Sequence, residues 1–138
     1  MNILWQKPNK ELAITFIMSN EVNLEEHAKL LQEREDIPSD WILLSTNVIW
    51  EESVWSHECH VWKDGKVVVD LNLAKEETKK RLREERKPMW NNLDANYFKA
   101  LESNTDTTNI IMEKNRLRNL PQQADTCQSL DNLLLLKV

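Results

Sequence analysis

Three features of the 138-residue chain predict an α+β fold. The front half alternates apolar and polar residues and carries an Asp64-Gly65 pair between runs of β-formers, the pattern of a tight hairpin. After Leu71 the composition shifts to strong helix formers and contains no glycine. In that second stretch Leu82, Arg86, Met89, Leu93, Tyr97 and Leu101 recur at three- and four-residue steps, the spacing of one helix face. The expected organisation is a small antiparallel β-rich head with one helix over residues 1–71 and an α-helical hairpin over 72–121. A tail over 122–138 is expected to dock on its own domain or on a partner.

The elements follow in order. Ile3 to Gln6 reads as a short strand. Lys7-Pro8-Asn9-Lys10 carries turn chemistry, because proline presets φ and asparagine tolerates left-handed geometry. Leu12 to Ile17 alternates, with Leu12, Ile14 and Phe16 on one face, which completes a hairpin. Asn23 is the expected N-cap of a helix, with Glu26 at capping-box spacing. Leu24, Ala28 and Leu31 form its apolar stripe with His27 and Leu30 beside them, and His27 is expected to be a satisfied core histidine. Asp36-Ile37-Pro38 ends the helix, since a residue before proline avoids the helical region. Trp41 to Leu44 is expected as a buried strand, and His60-Val61-Trp62 with Val67 to Leu71 as the hairpin arms around Asp64-Gly65.

Leu73 to about Ser103 is the long helical stretch, interrupted by Pro88, which removes one helical hydrogen bond and is expected to kink or split it. With Lys87 as the last residue of one helix, Pro88 suits the first position of the next. Glu76–Lys80, Glu77–Arg81, Lys80–Glu84 and Arg81–Glu85 are at i,i+4 spacing, worth about 0.2–0.5 kcal/mol each. Asn104-Thr105-Asp106 is a loop, Thr107 to Asn119 a second helix antiparallel to the first, and Pro121 its stop. Leu130 to Leu136 is short, apolar and in need of a surface to cover it.

Composition excludes several functional classes. A single glycine, Gly65, cannot build a phosphate-cradling loop or a dinucleotide fold, and a Gly-x-Ser-x-Gly elbow is impossible. No apolar run approaches the ~20 residues of a membrane span, and Met1 to Lys10 shows no signal-peptide core, so neither a membrane nor secretion is expected. Net charge is −5. Residues 1–70 carry 6 Lys+Arg against 13 Asp+Glu, and residues 71–138 carry 12 against 10. An acidic front half repels phosphate, so nucleic acid is not an expected partner there. Lys75 to Lys87 holds the basic excess, including Arg81, Arg83 and Arg86, but interleaved acids make it read as a solvated, salt-bridged helix face. Cys59 and Cys127 read as free thiols of a reducing compartment.

No constellation dictates an enzyme. Glu51-Glu52 are adjacent, so on a strand they face opposite sides, and no Ser, His and Asp spacing singles out a triad. His57, Cys59 and His60 are ligand types within four residues. On a strand His60 points away from the other two, and no fourth ligand accompanies them, so no metal site and no cofactor are expected. Five of the six tryptophans fall in residues 5–62. Two or three are expected in the core and at least one at an interface, with an aromatic sugar platform a weaker alternative. The interface candidates are Trp5, Trp50 and Trp55, together with Leu133, Leu134, Leu135 and Leu136.

From Trp62 onward one ordered pattern stands out. Trp62-Lys-Asp-Gly65-Lys-Val-Val-Val69-Asp70 is followed by Ala74-Lys75, then Arg81-Leu82-Arg83-Glu-Glu-Arg86-Lys-Pro88. Leu93-Asp94, Tyr97, Ala100-Leu101-Glu102, Asp106, Ile110-Ile111, Lys114 and Leu117-Arg118-Asn119-Leu120-Pro121 complete it. Over residues 62–121 this resembles a family of small proteins encoded among the tail and tail-fibre genes of tailed bacteriophages and prophages. The front half fits that family only as a short β-start and a variable acidic segment.

The resemblance implies a non-enzymatic, tail-associated protein acting through protein–protein contacts, since no catalytic residues attach to the pattern. A structural or adaptor component at the tail tip, baseplate or fibre attachment is the leading expectation, with other tail or tail-fibre proteins as partners. A tail-fibre assembly chaperone is the alternative, and would be absent from purified virions. A small metal-binding module using His57–His60 is a further alternative. A homo-oligomer fits a tail repeated about an axis, and the virion or the cytoplasm of the infected host is the implied location. The residues of the pattern read as architectural. Trp62, Gly65 and Val67 to Val69 make a hairpin, and Pro88 sets a bend. Arg83 and Arg86 are placed to pair with Glu102 or Glu113, and Leu93, Tyr97 and Leu101 to face Ile110, Met112 or Leu117.

Overall fold

The computed structural model describes residues 1–19 and 22–138. It is α+β, with antiparallel strands in the N-terminal region and helices in the C-terminal region. Residues divide into two compact units, Met1–Asp70 and Leu71–Val138. No helix among the described residues is long and apolar enough to cross a membrane.

In the first unit, strands β1 (Asn2–Gln6), β2 (Leu12–Phe16) and β3 (Ile42–Thr46) form an antiparallel sheet in the order β2-β1-β3. The central strand is the most buried, with Ile3, Leu4 and Trp5 fully enclosed. Register places Ile3 opposite Thr15 and Trp5 opposite Ala13, so these four share one face, and Leu4 and Ile14 share the other. Helix α1 (Leu24–Glu33) covers the first face: Leu24 and Ala28 pack with Ile3 and Trp5, edged by Ala13, Ile17, Leu31, Ile37 and Trp41. The face of β2 that packs under α1 is therefore Ala13's, not that of Leu12, Ile14 and Phe16. Leu12 is buried on the opposite side, while Phe16 is exposed. Asn23 caps α1 as expected, accepting from the amides of Glu25 and Glu26 at 3.1 Å. His27 is half-buried rather than a core residue. The helix stops before the proline: Glu35 takes φ +62°, its amide donates to Gln32 O, and Ile37 N–H returns to Leu31 O.

The strand expected to be buried at Trp41 to Leu44 lies instead at the sheet edge. An extra residue near Leu44 breaks its register with β1, and Ile42 and Leu43 are exposed. Beyond it, the Asn2 side chain amide accepts from Val48 N–H (2.8 Å) and donates to Val48 O (2.9 Å). A 3-10 turn, His57–Cys59, then leads into the second hairpin, β4 (His60–Lys63) and β5 (Lys66–Val69). Asp64 and Gly65 both take positive φ there, 52° and 77°. Two such residues make the primed turn that matches strand twist.

The second unit is helical: α2 (Leu71–Glu85), α3 (Lys87–Glu102), α4 (Thr108–Asn119), a 3-10 segment Leu120–Thr126, and α5 (Leu130–Leu135). Pro88 splits the long stretch, but α3 begins one residue earlier than expected, with Lys87 first and Pro88 second. The 3-10 segment and α5 pack on α2. Ala74, Thr78 and Leu82 on α2 are buried, as are Leu120, Pro121, Ala124, Cys127 and Leu133. Alanines at 74 and 124 permit close approach, and Thr78 satisfies its hydroxyl by donating to Ala74 O at 2.8 Å. The C-terminal segment is thus part of this unit: Leu133 is its anchor, Arg81 donates to Leu136 O at 2.9 Å, and Ser129 caps α5.

Charge pairing on α2 departs from the i,i+4 expectation. Arg81–Glu85 forms (3.4 Å), but Glu76 pairs with Lys79 and Glu84 with Lys87, each three residues away. Lys79 also meets Asp125 of the 3-10 segment, and Asp125 and then Glu76 hold its ammonium above the ordinary lysine range. Between α3 and α4, Lys114 bridges Asp94 at 2.6 Å and lies 4.8 Å over the Tyr97 ring.

Candidate functional site

The side chains of the histidine-cysteine segment are drawn into local hydrogen bonds and ring contacts. His57 and Cys59 sit on a 3-10 turn rather than a strand, and their neighbours define their roles. His57 Nε2 lies 2.6 Å from Leu12 O, and His60 Nδ1 lies 2.9 Å from Ser56 O. A carbonyl only accepts, so each of these ring nitrogens carries the proton and donates. Trp50 stacks on His57 (4.6 Å, 3° between planes) and tilts against His60 at 4.9 Å. Cys59 and His60 are buried. The segment is a structural clasp against β2, and no group of three His, Cys, Asp or Glu among the described residues is arranged to hold a metal.

Tryptophans sort by burial. Trp5, an interface candidate on sequence grounds, is fully buried and donates from Nε1 to Thr15 Oγ1 at 3.0 Å. It is the centre of the first unit's core. Trp50 is half-buried in the histidine clasp, and Trp41, Trp55 and Trp62 are also half-buried. Of the leucine run, Leu133 is buried and Leu136 half-buried, leaving Leu134 and Leu135 on the surface. Both cysteines are buried thiols.

Two surfaces of the second unit combine exposure with specific chemistry. The first is a flank of the α3/α4 hairpin. Asp94, Phe98 and Leu101 follow at four- and three-residue spacing, and the Asp94–Lys114 bridge sets α4 alongside, with Ile111 one turn before Lys114. Phe98 is 64% exposed, Leu101 50% and Ile111 43%. Leu101 and Met112 therefore do not close the hairpin interior as their spacing suggested, and both face outward.

The second surface is a cleft of about 420 Å³ where α2 gives way to α3. The helix break at Arg86, two residues before Pro88, brings Arg83 and Arg86 together with Lys87, Trp90 and Asn91 from the start of α3. The expected partners of the two arginines are not used. Arg86 donates to the carbonyls of Leu117 (2.8 Å) and Arg118 (3.3 Å), capping the negative end of α4, and Arg83 is exposed in the cleft wall. Neither reaches Glu102 or Glu113; Glu113 binds Arg116 through a two-pronged contact that lowers the Glu113 pKa. Arg86 and Arg118 both lie over the Trp90 ring, at 5.9 and 5.6 Å. Among the described residues no carboxylate lines the cleft. Trp90 and Arg118 are absent from the sequence-derived candidates. The Arg86–Trp90 spacing of four on a helix was the available signal, while Arg118 arrives only through the hairpin.

Comparison with protein-family models, with curated proteins and with solved structures found no match.

Proposed function

We propose that this chain is a non-enzymatic component of a bacteriophage tail, a structural or adaptor protein at the tip, baseplate or fibre attachment that works by protein–protein contact. The phage part of this reading rests on the resemblance over residues 62–121. The observation that carries the contact part is the apolar flank of the α3/α4 hairpin, where Phe98, Leu101 and Ile111 stand exposed on rigid, register-locked helices. Bulky apolar groups clustered on a helical surface are the usual mark of an interaction site. A partner helix or strand laid along this flank would bury all three.

The test is light-scattering mass of the purified chain mixed with the fibre protein encoded beside it. A stable complex is expected, and Phe98→Glu with Ile111→Glu is expected to weaken it by about tenfold or more. Both side chains are exposed, so far-ultraviolet circular dichroism of the variant should match the parent. Failure to form any complex, or a complex indifferent to both substitutions, overturns the reading.

A further inference from the structure

We infer that the Arg83–Trp90 cleft is a docking site for a short acidic segment of a partner protein, one that sets carboxylates beside an apolar or aromatic side chain. The inference deepens the adaptor reading and rests on it in taking the partner to be a protein.

The lining supplies two kinds of recognition. Arg83 presents an exposed guanidinium whose fork matches a carboxylate, and Lys87 adds a second cation, held at the rim by Glu84. Arg86 is spent on the end of α4, yet its positive charge remains in the wall. Arg118, outside the lining, lies over the Trp90 ring and donates to Asn115 Oδ1. Among the described residues the lining itself holds no acid; Glu84 offsets Lys87 at the rim, and Arg83 and Arg86 leave the wall net positive even though the chain as a whole is negative.

The half-buried Trp90 ring gives the apolar element. With two guanidiniums over it, the ring offers a flat surface at little entropic cost. The volume of about 420 Å³ suits a few side chains rather than a polymer track. That weighs against nucleic acid, whose binding needs many phosphate contacts along an extended basic stripe.

The experiment titrates the full chain into a dye-labelled glutamate-rich peptide containing one phenylalanine, followed by fluorescence anisotropy. Saturable binding is expected, weakening as salt rises. Arg83→Glu with Lys87→Glu should weaken it about tenfold or more, and Trp90→Leu should weaken it as well. Lys29→Glu, on α1, should leave it unchanged. If charge reversal disturbs folding, as judged by circular dichroism, Arg83→Gln with Lys87→Gln carries the test with a smaller loss. Absence of saturable binding overturns the inference, as does equal affinity across the variants. Tighter binding of single-stranded oligothymidylate assigns the cleft to nucleic acid and overturns it too. So does self-association of the chain that the cleft variants abolish, which makes a second copy the occupant. A complex with the fibre protein that survives the cleft variants but not Phe98→Glu overturns this inference alone and leaves the adaptor reading standing.

Discussion

Gly65 and Asp64 hold the β4–β5 hairpin by backbone geometry alone. Gly65 has φ +77°, and a Cβ built on it meets nothing within 4 Å. A substitution there is therefore opposed by the left-handed backbone and not by crowding. Gly65→Ala is expected to destabilise the first unit by about 1–2 kcal/mol, and Gly65→Asn by less, because asparagine tolerates that region. Urea midpoints read by tryptophan fluorescence check both, and an unchanged midpoint for alanine would refute the backbone argument. This residue was legible in the sequence because turn chemistry is local: Asp-Gly between β-formers specifies its own conformation. Trp5 and His57 were not legible in the same way. Trp5 belongs to the core because Thr15, ten residues away, receives its indole N–H. His57 is committed to Leu12 O, 45 positions distant, so its ligand-like spacing to Cys59 and His60 carried no information about its partner.

At the scale of elements, capping signals translate into structure when donor and acceptor are near neighbours in sequence, whereas on α2 Glu76 and Glu84 take partners three residues away over the i,i+4 ones. Asn23 caps α1, and Asp106, just ahead of the α4 cap residue Thr107, ties down the first residue of α4. The loop residue Asp106 accepts from the hydroxyl (2.6 Å) and amide (3.0 Å) of Thr108, and those bonds, the hydroxyl's first, lower its pKa. A carboxyl with a depressed native pKa stabilises the fold above its unfolded value, and loses that contribution as pH falls through the native one. Asp106→Ala should therefore lower the thermal midpoint at neutral pH, and the gap from the parent should close as pH drops below the aspartate range. A gap that stays constant with pH would show that the charge of Asp106 plays no part. Elements whose environment is set by distant chain were harder to read. Trp41 to Leu44 has the composition of a buried strand, yet among the described residues β3 is an edge strand of the order β2-β1-β3. Arg83 and Arg86 had acids at plausible helix spacing, but the unsatisfied carbonyls at the end of α4 form the better acceptor for Arg86. That same contact brings Arg86 and Arg118 together near the Trp90 ring, so the cleft was invisible until the hairpin closed.

For the molecule as a whole, the change of composition after Leu71 and the division of contacts after Asp70 fall at neighbouring residues. Each unit buries its own set of side chains: Ile3, Leu4, Trp5 and Leu24 in one, Leu82, Leu117, Leu120 and Leu133 in the other. Units of this size lie near the lower limit at which a single apolar core suffices, so each depends on a few large residues. Trp5, Trp41, Trp50, Trp55 and Trp62 all belong to the first unit and only Trp90 to the second, whereas α2, α3, α4 and α5 all belong to the second. Tryptophan fluorescence therefore reports chiefly on the first core, and far-ultraviolet ellipticity chiefly on the second. Two separate cores predict that urea unfolding curves from these two probes will not superimpose, and that each will show a slope smaller than that of one 138-residue cooperative unit. Trp90→Phe should leave the fluorescence midpoint in place, since it removes the only indole outside the first unit. Superimposed curves with a single steep slope would mean that the two units unfold as one. A mutation in the Arg83–Trp90 cleft would then be felt in the stability of the sheet, and binding data on cleft variants would have to be read with that coupling included.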